Sequence, residues 1–453
     1  MSYPKALNPA IPLKRWHYLV VGLILFAFKY NLDRLVSYLV FDRSWYLTNY
    51  FAYFDLDTLP RSRESGFLIT MVITALPFII VGTILTLRRL LDARLPRWLV
   101  CLFFLPIINL AFFGLLAVIP SADPVLPITE THRRRWLDKL IPEGQEKSAF
   151  IAALVTAVIS TLVLWVSITV AGDYGSGIFI GIPFMQGLAA TLFYGYRKPR
   201  TISQCIGVAS LSVCFLGLII FLAAIEGVLC IVMALPIAFP LAMIGGFIGY
   251  HIQKRTHHGL PAAIFVLAFL PLISWIESEG HNEAPLVPLT TKVIINKPRQ
   301  EVWNQLVTFN DIEAPTELIF KSGIAYPIRA VIEGKGIGSV RRCQFSTGDF
   351  VEPVTMWNEP QLLSFGVEKM PPPLVELSIY RDLHLPHLEN NFVSEKGQFK
   401  LTALNETQTL LEGTTWYRQK MWPQTYWRLW SDYILHSIHL RVLNHIKQQA
   451  ELH

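Results

Sequence analysis

Eight stretches of mostly apolar residues limit what this chain can become: 16–40, 66–86, 98–119, 150–171, 178–196, 202–225, 228–250 and 260–275. A helix rising 1.5 Å per residue needs about 20 such residues to cross the roughly 30 Å hydrocarbon layer of a bilayer. Most of the eight reach that length, so a polytopic α-helical membrane region is expected. Composition agrees, with 52% hydrophobic against 16% charged residues. The first stretch carries Lys29, Asp33 and Arg34 in its C-terminal half, and the last is short. The net charge of +6 is spread over loops, with no Lys/Arg run interleaved with aromatics, which argues against nucleic-acid binding. Cys101, Cys205, Cys214, Cys230 and Cys343 have neither disulfide-framework nor zinc spacing, so no metal or other cofactor is expected. No small-residue cleavage site follows the first apolar run, so no cleavable signal peptide is expected.

The later spans hold almost no ionisable groups. Asp173 and Glu226 fall in short turns, and an ion-coupled transporter needs buried charges, so these spans read as an anchor or lipid-facing scaffold. Segment 120–149 places Arg133, Arg134 and Arg135 beside Trp136 and Leu140, the pattern of an amphipathic helix on a membrane surface. Loops 120–149, 197–201 and 251–259 are basic, whereas the turns at Asp173 and Glu226 are not, and Glu277, Glu279 and Glu283 follow the last span. By the positive-inside rule the chain after 277 then lies outside the cytoplasm. Lys5, Lys14, Arg15 and the basic loop at 88–97 also look cytoplasmic, and three spans before residue 120 cannot satisfy both halves; the contrast in the second half is the cleaner.

The run Arg88, Arg89, Leu90, Asp92, then Trp98 and Pro106, resembles a family of small bacterial multi-span membrane proteins of no assigned function. That family carries an Arg-Arg-Leu-His-Asp loop; Leu91 stands here in place of the histidine. The resemblance spans roughly the first 120 residues and implies a bacterial inner membrane but no chemistry. The two arginines read as cytoplasmic anchors.

After a polar linker the pattern changes to alternation. Strands are expected at 289–296, 328–333, 338–346, 350–358, 362–369, 392–404 and 407–420, with a helix at 298–309. A long helix, 422–449, closes the chain. Pro423 suits its first turn, and no Pro or Gly follows. Trp427, Ile434, Leu435, Ile438, Val442, Leu443 and Ile446 fill a broad apolar arc that needs a sheet to lie on, while Tyr433, Ser437, Arg441, Asn444 and Gln448 make the wet side. The expected organisation is a three-span module (1–120), a basic connector (121–149), a five-span module (150–276), a linker (277–287) and a folded domain (288–453).

The pieces Val293-Ile294-Ile295 with Pro298 and Val302-Trp303, then residues 332–338 leading to Arg341, then 410–416 and the last helix, resemble the START-like superfamily called SRPBCC. That superfamily includes polyketide cyclases and birch-pollen-allergen-like carriers. The resemblance implies an α+β helix-grip fold, an antiparallel sheet around one long C-terminal helix with an apolar cavity between them. It implies a hydrophobic ligand: a lipid, or a sterol- or polyketide-like molecule.

Three groups are candidates to line such a cavity. Counting back from a Thr347-Gly348 turn places Phe345 opposite Phe350 and Cys343 opposite Glu352, so Arg341 and Glu352 become diagonal neighbours. They share a face with Cys343, Phe345, Phe350, Val354 and Met356; the alternative has Arg342 facing in. Asp432, His436 and His439 form a polar stripe on the last helix at i, i+4 and i+7. His384 and His387 add a second pair, but no H-E-x-x-H pattern accompanies them, so the stripe reads as a cavity rim without metal, with a plain hydrogen-bonded surface set as the alternative. Trp416 and Tyr417 point to opposite faces, so one of them meets the cavity; Trp416 is the candidate ligand contact.

The expected function is binding of a hydrophobic ligand by a domain tethered to the membrane, periplasmic by its loop charges. The partners are the lipid bilayer and a hydrophobic small molecule, with no nucleic acid. Two alternatives are an enzyme of cyclase, aromatase or hydrolase type using Asp432, His436 or His439 as acid or base, and an assembly factor binding a protein partner.

Overall fold

The computed structural model describes residues 8–47, 49–52, 65–105, 108–121, 141–171, 175–254, 259–268, 270–272, 284–380 and 391–452. The basic connector around Arg133, Arg134, Arg135, Trp136 and Leu140, the turn at Asp173, the acidic stretch at 277–283 and the pair His384 and His387 lie outside the described residues. The chain divides into two compact units, Met1–Ile225 with Ala234–His281, and Glu226–Met233 with Asn282–His453.

The first unit is helical: α1 (Arg15–Phe41), α2 (Ser65–Asp92), a 3₁₀ segment (Arg97–Phe104), α3 (Ile108–Val118), α4 (Gln145–Ala171), α5 (Ile182–Tyr194), α6 (Ile202–Leu222), α7 (Val228–Gln253) and α8 (Gly259–Ala268). The first turns of α7 belong to the second unit. Among the described residues five helical stretches are long and apolar enough to cross a membrane: Gly66–Asp92, Gln145–Thr169, Gly177–Tyr194, Ile202–Leu222 and Val228–Gln253. By length and composition this is the helix set of a membrane protein, with fewer full-length apolar helices among the described residues than the eight expected.

The differences have local causes. The third stretch is not one helix: Leu105, ahead of Pro106, is extended (φ −92°, ψ 118°), as a residue before proline prefers, and the 3₁₀ segment stops there. In α1, Asp33 is fully buried and takes Lys29 as its ion partner and the Tyr50 hydroxyl at 2.5 Å, so two of the three charges counted against that span pair within the protein, while Arg34 is exposed. Arg89 is more than an anchor. Its guanidinium is fully buried, pairs with Asp92 and donates to the carbonyls of Leu116 (2.9 Å) and Ile119, which closes the C-terminal end of α3. Every residue of α5 is buried. Gly245 and Gly249 of α7 let its backbone approach α5 where a Cβ would meet Phe184 and Thr191, the small-xxx-small contact of membrane helices.

The second unit holds β1 (Val287–Ile295), α9 (Arg299–Val307), α10 (Leu318–Lys321), β2 (Pro327–Glu333), β3 (Val340–Phe345), β4 (Gly348–Asn358), β5 (Leu362–Gly366), β6 (Phe392–Ala403), β7 (Thr409–Gln419) and α11 (Gln424–Leu452). All seven strands pair antiparallel in the order β1-β7-β6-β5-β4-β3-β2. Each strand lies within about two residues of its expected bounds except β5, which ends at Gly366.

α11 packs on this sheet with its two halves in different surroundings. Its C-terminal half puts Val442, Leu443, Ile446 and Ala450 into a core with Ile295 of β1, Val302, Trp303 and Leu306 of α9, and Leu401 and Leu411 of the central strands. Leu443 sits against Gly413, where the missing side chain leaves room for it. The N-terminal half of α11 meets a sheet surface that does not fill the space below it. Arg441, expected on the wet side, instead donates to the carbonyls of Pro327 (3.0 Å) and Glu313 (2.5 Å) and lies over the Tyr326 ring at 5.2 Å. Its position follows from β2 and the loop before it, which no helical-wheel argument contains.

Candidate functional site

A cavity of about 110 Å³ lies between the N-terminal half of α11 and the sheet. Phe345, Phe350 and Phe365 wall it from the strands, Ile434, Leu435 and Ile438 from the helix, and Pro371, Pro372 and Pro373 from the loop after β5. Its polar lining consists of Glu352, Ser394, Thr415 and His439.

Glu352 reaches the cavity because β3 and β4 turn through Ser346 and Thr347, with Phe345 opposite Gly348. The register therefore differs by one pair from the count made on sequence: Arg341 faces Glu352 directly rather than diagonally. Their side chains form an ion pair with 3% and 8% exposure. The Arg341 guanidinium also lies 4.8 Å from the Phe365 ring centroid and 5.6 Å from that of Phe399. Its Nε has no hydrogen-bond partner among the described residues. Arg341 thus stands behind the cavity wall while Glu352 forms part of it. Burial pushes the Glu352 carboxyl above the usual carboxylate range even with the guanidinium opposing. Burial also pushes the neighbouring Cys343 thiol up to about 12. Arg342 points outward to Glu333 at 3.0 Å, which removes the alternative facing. Met356 is outside as well, because a bulge between Val354 and Met356 reverses the alternation.

The polar stripe of α11 divides. His439 lines the cavity. Its Nδ1 lies 3.1 Å from the Thr291 hydroxyl and its Nε2 lies 2.8 Å from that of Thr415. His436 is exposed and shares the Thr291 hydroxyl through its own Nδ1 at 2.9 Å. Asp432 accepts from the Tyr417 hydroxyl at 2.6 Å and does not line the cavity. Burial, then the Asp432 charge, raises the Tyr417 phenol. Asp432 and His436 therefore pin the helix to β7 and β1, the hydrogen-bonded alternative to a cavity rim. Trp416 is also corrected. Leu411, Gly413, Thr415 and Tyr417 face α11, so the alternation puts Trp416 on the opposite face, where the Lys396 ammonium lies 4.3 Å from its ring centroid.

Thr291 and Thr415 went unnoticed in the sequence, and Tyr417 was passed over for Trp416. The signal for two of them was available, because fixing Leu411 inward fixes Thr415 and Tyr417 as well. Thr291 could not be found that way, since its part depends on two histidines reaching it from α11. His445 was also missed. It is buried, its Nε2 lacks a partner among the described residues, and burial followed by Arg441 lowers its pKa. Among the described residues no three His, Cys, Asp or Glu side chains gather into a group that could hold a metal ion.

Burial, then the nearby His436, holds the His439 imidazole down at about 4. Below its unfolded value the unfolded chain binds the proton that the folded one refuses. This contribution is present above about pH 6.5 and is lost as pH falls through 4, a swing of about 3 kcal/mol. The denaturant midpoint of the full chain in detergent, followed by near-ultraviolet circular dichroism, should fall over that window. His439→Gln should flatten the fall; an unchanged profile in the variant would place the acid sensitivity elsewhere.

Seven antiparallel strands around one long terminal helix, with the cavity between them, decide the architecture. The C-terminal unit has a START-like fold. Solved structures similar to the chain include norcoclaurine synthase from Thalictrum flavum (9% identity, 38% of this chain and 99% of that one, TM-score 0.26). They also include the Zhui aromatase/cyclase from a Streptomyces species (13% identity, 37% and 94%, TM-score 0.25). An uncharacterised Bacillus thuringiensis protein matches at 13% identity, 36% and 98% coverage and a TM-score of 0.24. At these values the likeness carries no argument about what this chain binds, and the fold rests on the strand order. Neither a protein-family model nor a curated protein sequence matches the chain.

Proposed function

We propose that the START-like unit binds the apolar end of a ligand in the cavity under α11, on a chain anchored in a membrane. The observation that carries this is the half-filled grip of α11. Its C-terminal half is packed solid, whereas Ile434, Leu435 and Ile438 face Phe345, Phe350 and Phe365 across open space.

The volume sets the size of what enters. At about 110 Å³ the cavity is smaller than the roughly 150 Å³ that accommodates benzene in an engineered protein core. A ring edge or a chain end fits as it stands; a whole sterol or polyketide does not, and the remainder of a larger ligand stays at the mouth. The lining sets the chemistry. Glu352 would repel a carboxylate but accept a hydrogen bond from a hydroxyl or amine. Arg341 already neutralises its charge, so a neutral ligand suits it.

The geometry favours binding over acid–base catalysis. Both His439 nitrogens are taken by threonine hydroxyls, and a pKa near 4 leaves the ring a weak base at neutral pH. Native mass spectrometry of the full chain, with loosely held lipid stripped by activation, tests the proposal. The wild type should retain one apolar adduct that Ile438→Trp, an indole placed in the cavity, loses. Equal retention in the variant would put the ligand elsewhere.

A further inference from the structure

The C-terminal unit grips the start of a helix long and apolar enough to cross a membrane. Residues 226–233 belong to that unit, and α7 begins at Val228. The Val228 amide donates to the Leu377 carbonyl at 3.2 Å. The Glu376 carboxylate accepts from the amides of Leu229 (3.1 Å) and Cys230 (3.2 Å), satisfying two of the free donors at the helix start. From α11 the Tyr426 hydroxyl donates to the Met233 carbonyl. Leu229 packs against the buried cluster of Phe320, Ile324 and Leu374, as Ile434 and Ile438 of α11 do.

The surface around this grip is apolar. Val375 is 62% exposed, Leu377 53% and Ile379 65%. Leu429 and Tyr433, 68% and 56% exposed, stand three and seven residues after Tyr426 on the same face of α11. Glu376 is the only charged residue in 370–380, and its carboxylate is engaged with the helix amides. Exposed apolar side chains gathered in this way on a soluble surface would be a liability.

Helix length says what covers them. The 26 residues of α7 span about 39 Å at 1.5 Å each, against roughly 30 Å of hydrocarbon and 40–45 Å with the headgroups. A membrane-crossing α7 therefore starts within the headgroup layer, and Leu377, hydrogen-bonded to its first residue, starts there too. We infer that loop 374–380 and the face of α11 around residues 426–433 rest in the interfacial layer of the bilayer. Val375, Leu377 and Ile379 reach the acyl boundary, and tyrosines sit where amphipathic rings are favoured. This contact stands whether or not the cavity holds a ligand.

The test uses the full chain in nanodiscs of phosphatidylcholine and phosphatidylglycerol. A fluorescent non-natural amino acid is placed at position 377 or 379, or, for comparison, at Ile337, which is 73% exposed in the turn between β2 and β3. That turn lies at the other end of β3 from the β3–β4 hairpin, whose Thr347 hydroxyl donates to the Pro372 carbonyl at 2.7 Å. A strand of this length separates its ends by roughly 20 Å. Lipids carrying a nitroxide near the headgroup should quench the probe at 377 and 379 several-fold more than at 337, with aqueous iodide giving the reverse order. Iodide quenching at 377 equal to that at 337 would overturn the inference. So would shielding from both quenchers, which would mean that a protein covers the patch.

Discussion

Glu352→Leu is expected to destabilise the START-like unit by about 3–5 kcal/mol, because it leaves the buried Arg341 guanidinium without its counter-ion. Arg341→Met should cost less. A guanidinium keeps its charge at any relevant pH, whereas the carboxyl it leaves behind can take up a proton, and burial already pushes Glu352 in that direction. The cost of Arg341→Met should therefore shrink as pH is lowered and that of Glu352→Leu should not. Replacing both residues removes both desolvation penalties and should cost least of the three. Peptide-resolved labelling of the Cys343 thiol, buried beside the pair, gives the opening free energy of this region in the full chain. Additive losses in the double-mutant cycle would show that the two side chains are not coupled.

Gly323→Ala is expected to have an effect of similar size by a different route. Gly323 ends α10 at φ +109°, where L-residues are rarely found, and a Cβ there would run into the Val375 carbonyl oxygen. The backbone cannot yield, since Val375 donates its amide to the Gly323 carbonyl at 2.9 Å and Ala325 donates to Pro373 at 3.0 Å. The unfavourable dihedral alone costs about 1–3 kcal/mol, and the clash adds to it. These bonds hold the proline wall of the cavity, so amide exchange across 374–375 should accelerate by about a hundredfold for a loss near 3 kcal/mol. Unchanged exchange would mean that the wall does not depend on this turn.

The fold was legible because strand alternation and the apolar arc of α11 are local signals. Proline and glycine marked the ends of most elements, and the order of strands and helices followed from them. The site was legible only in part. Glu352 and His439 do reach the cavity, but Arg341 stands behind its wall, and Asp432 and His436 bond to the sheet. These distinctions depend on a two-residue turn against a longer one, a single bulge after Val354, and threonines on strands far apart in sequence. None of them leaves a periodic trace. Trp416 shows the limit of a rule of thumb: the larger aromatic drew the choice, although the parity of Leu411 and Gly413 already favoured Tyr417.

Photo-crosslinking with an alkyl diazirine, applied to the full chain in nanodiscs and resolved by peptide, addresses the ligand cavity most directly. Adducts are predicted on peptides carrying Phe345, Phe365 and Ile434, beyond those on the membrane helices, and they should vanish in Ile438→Trp. Adducts confined to the membrane helices, or cavity adducts unchanged by the indole, would contradict an apolar ligand seated under α11.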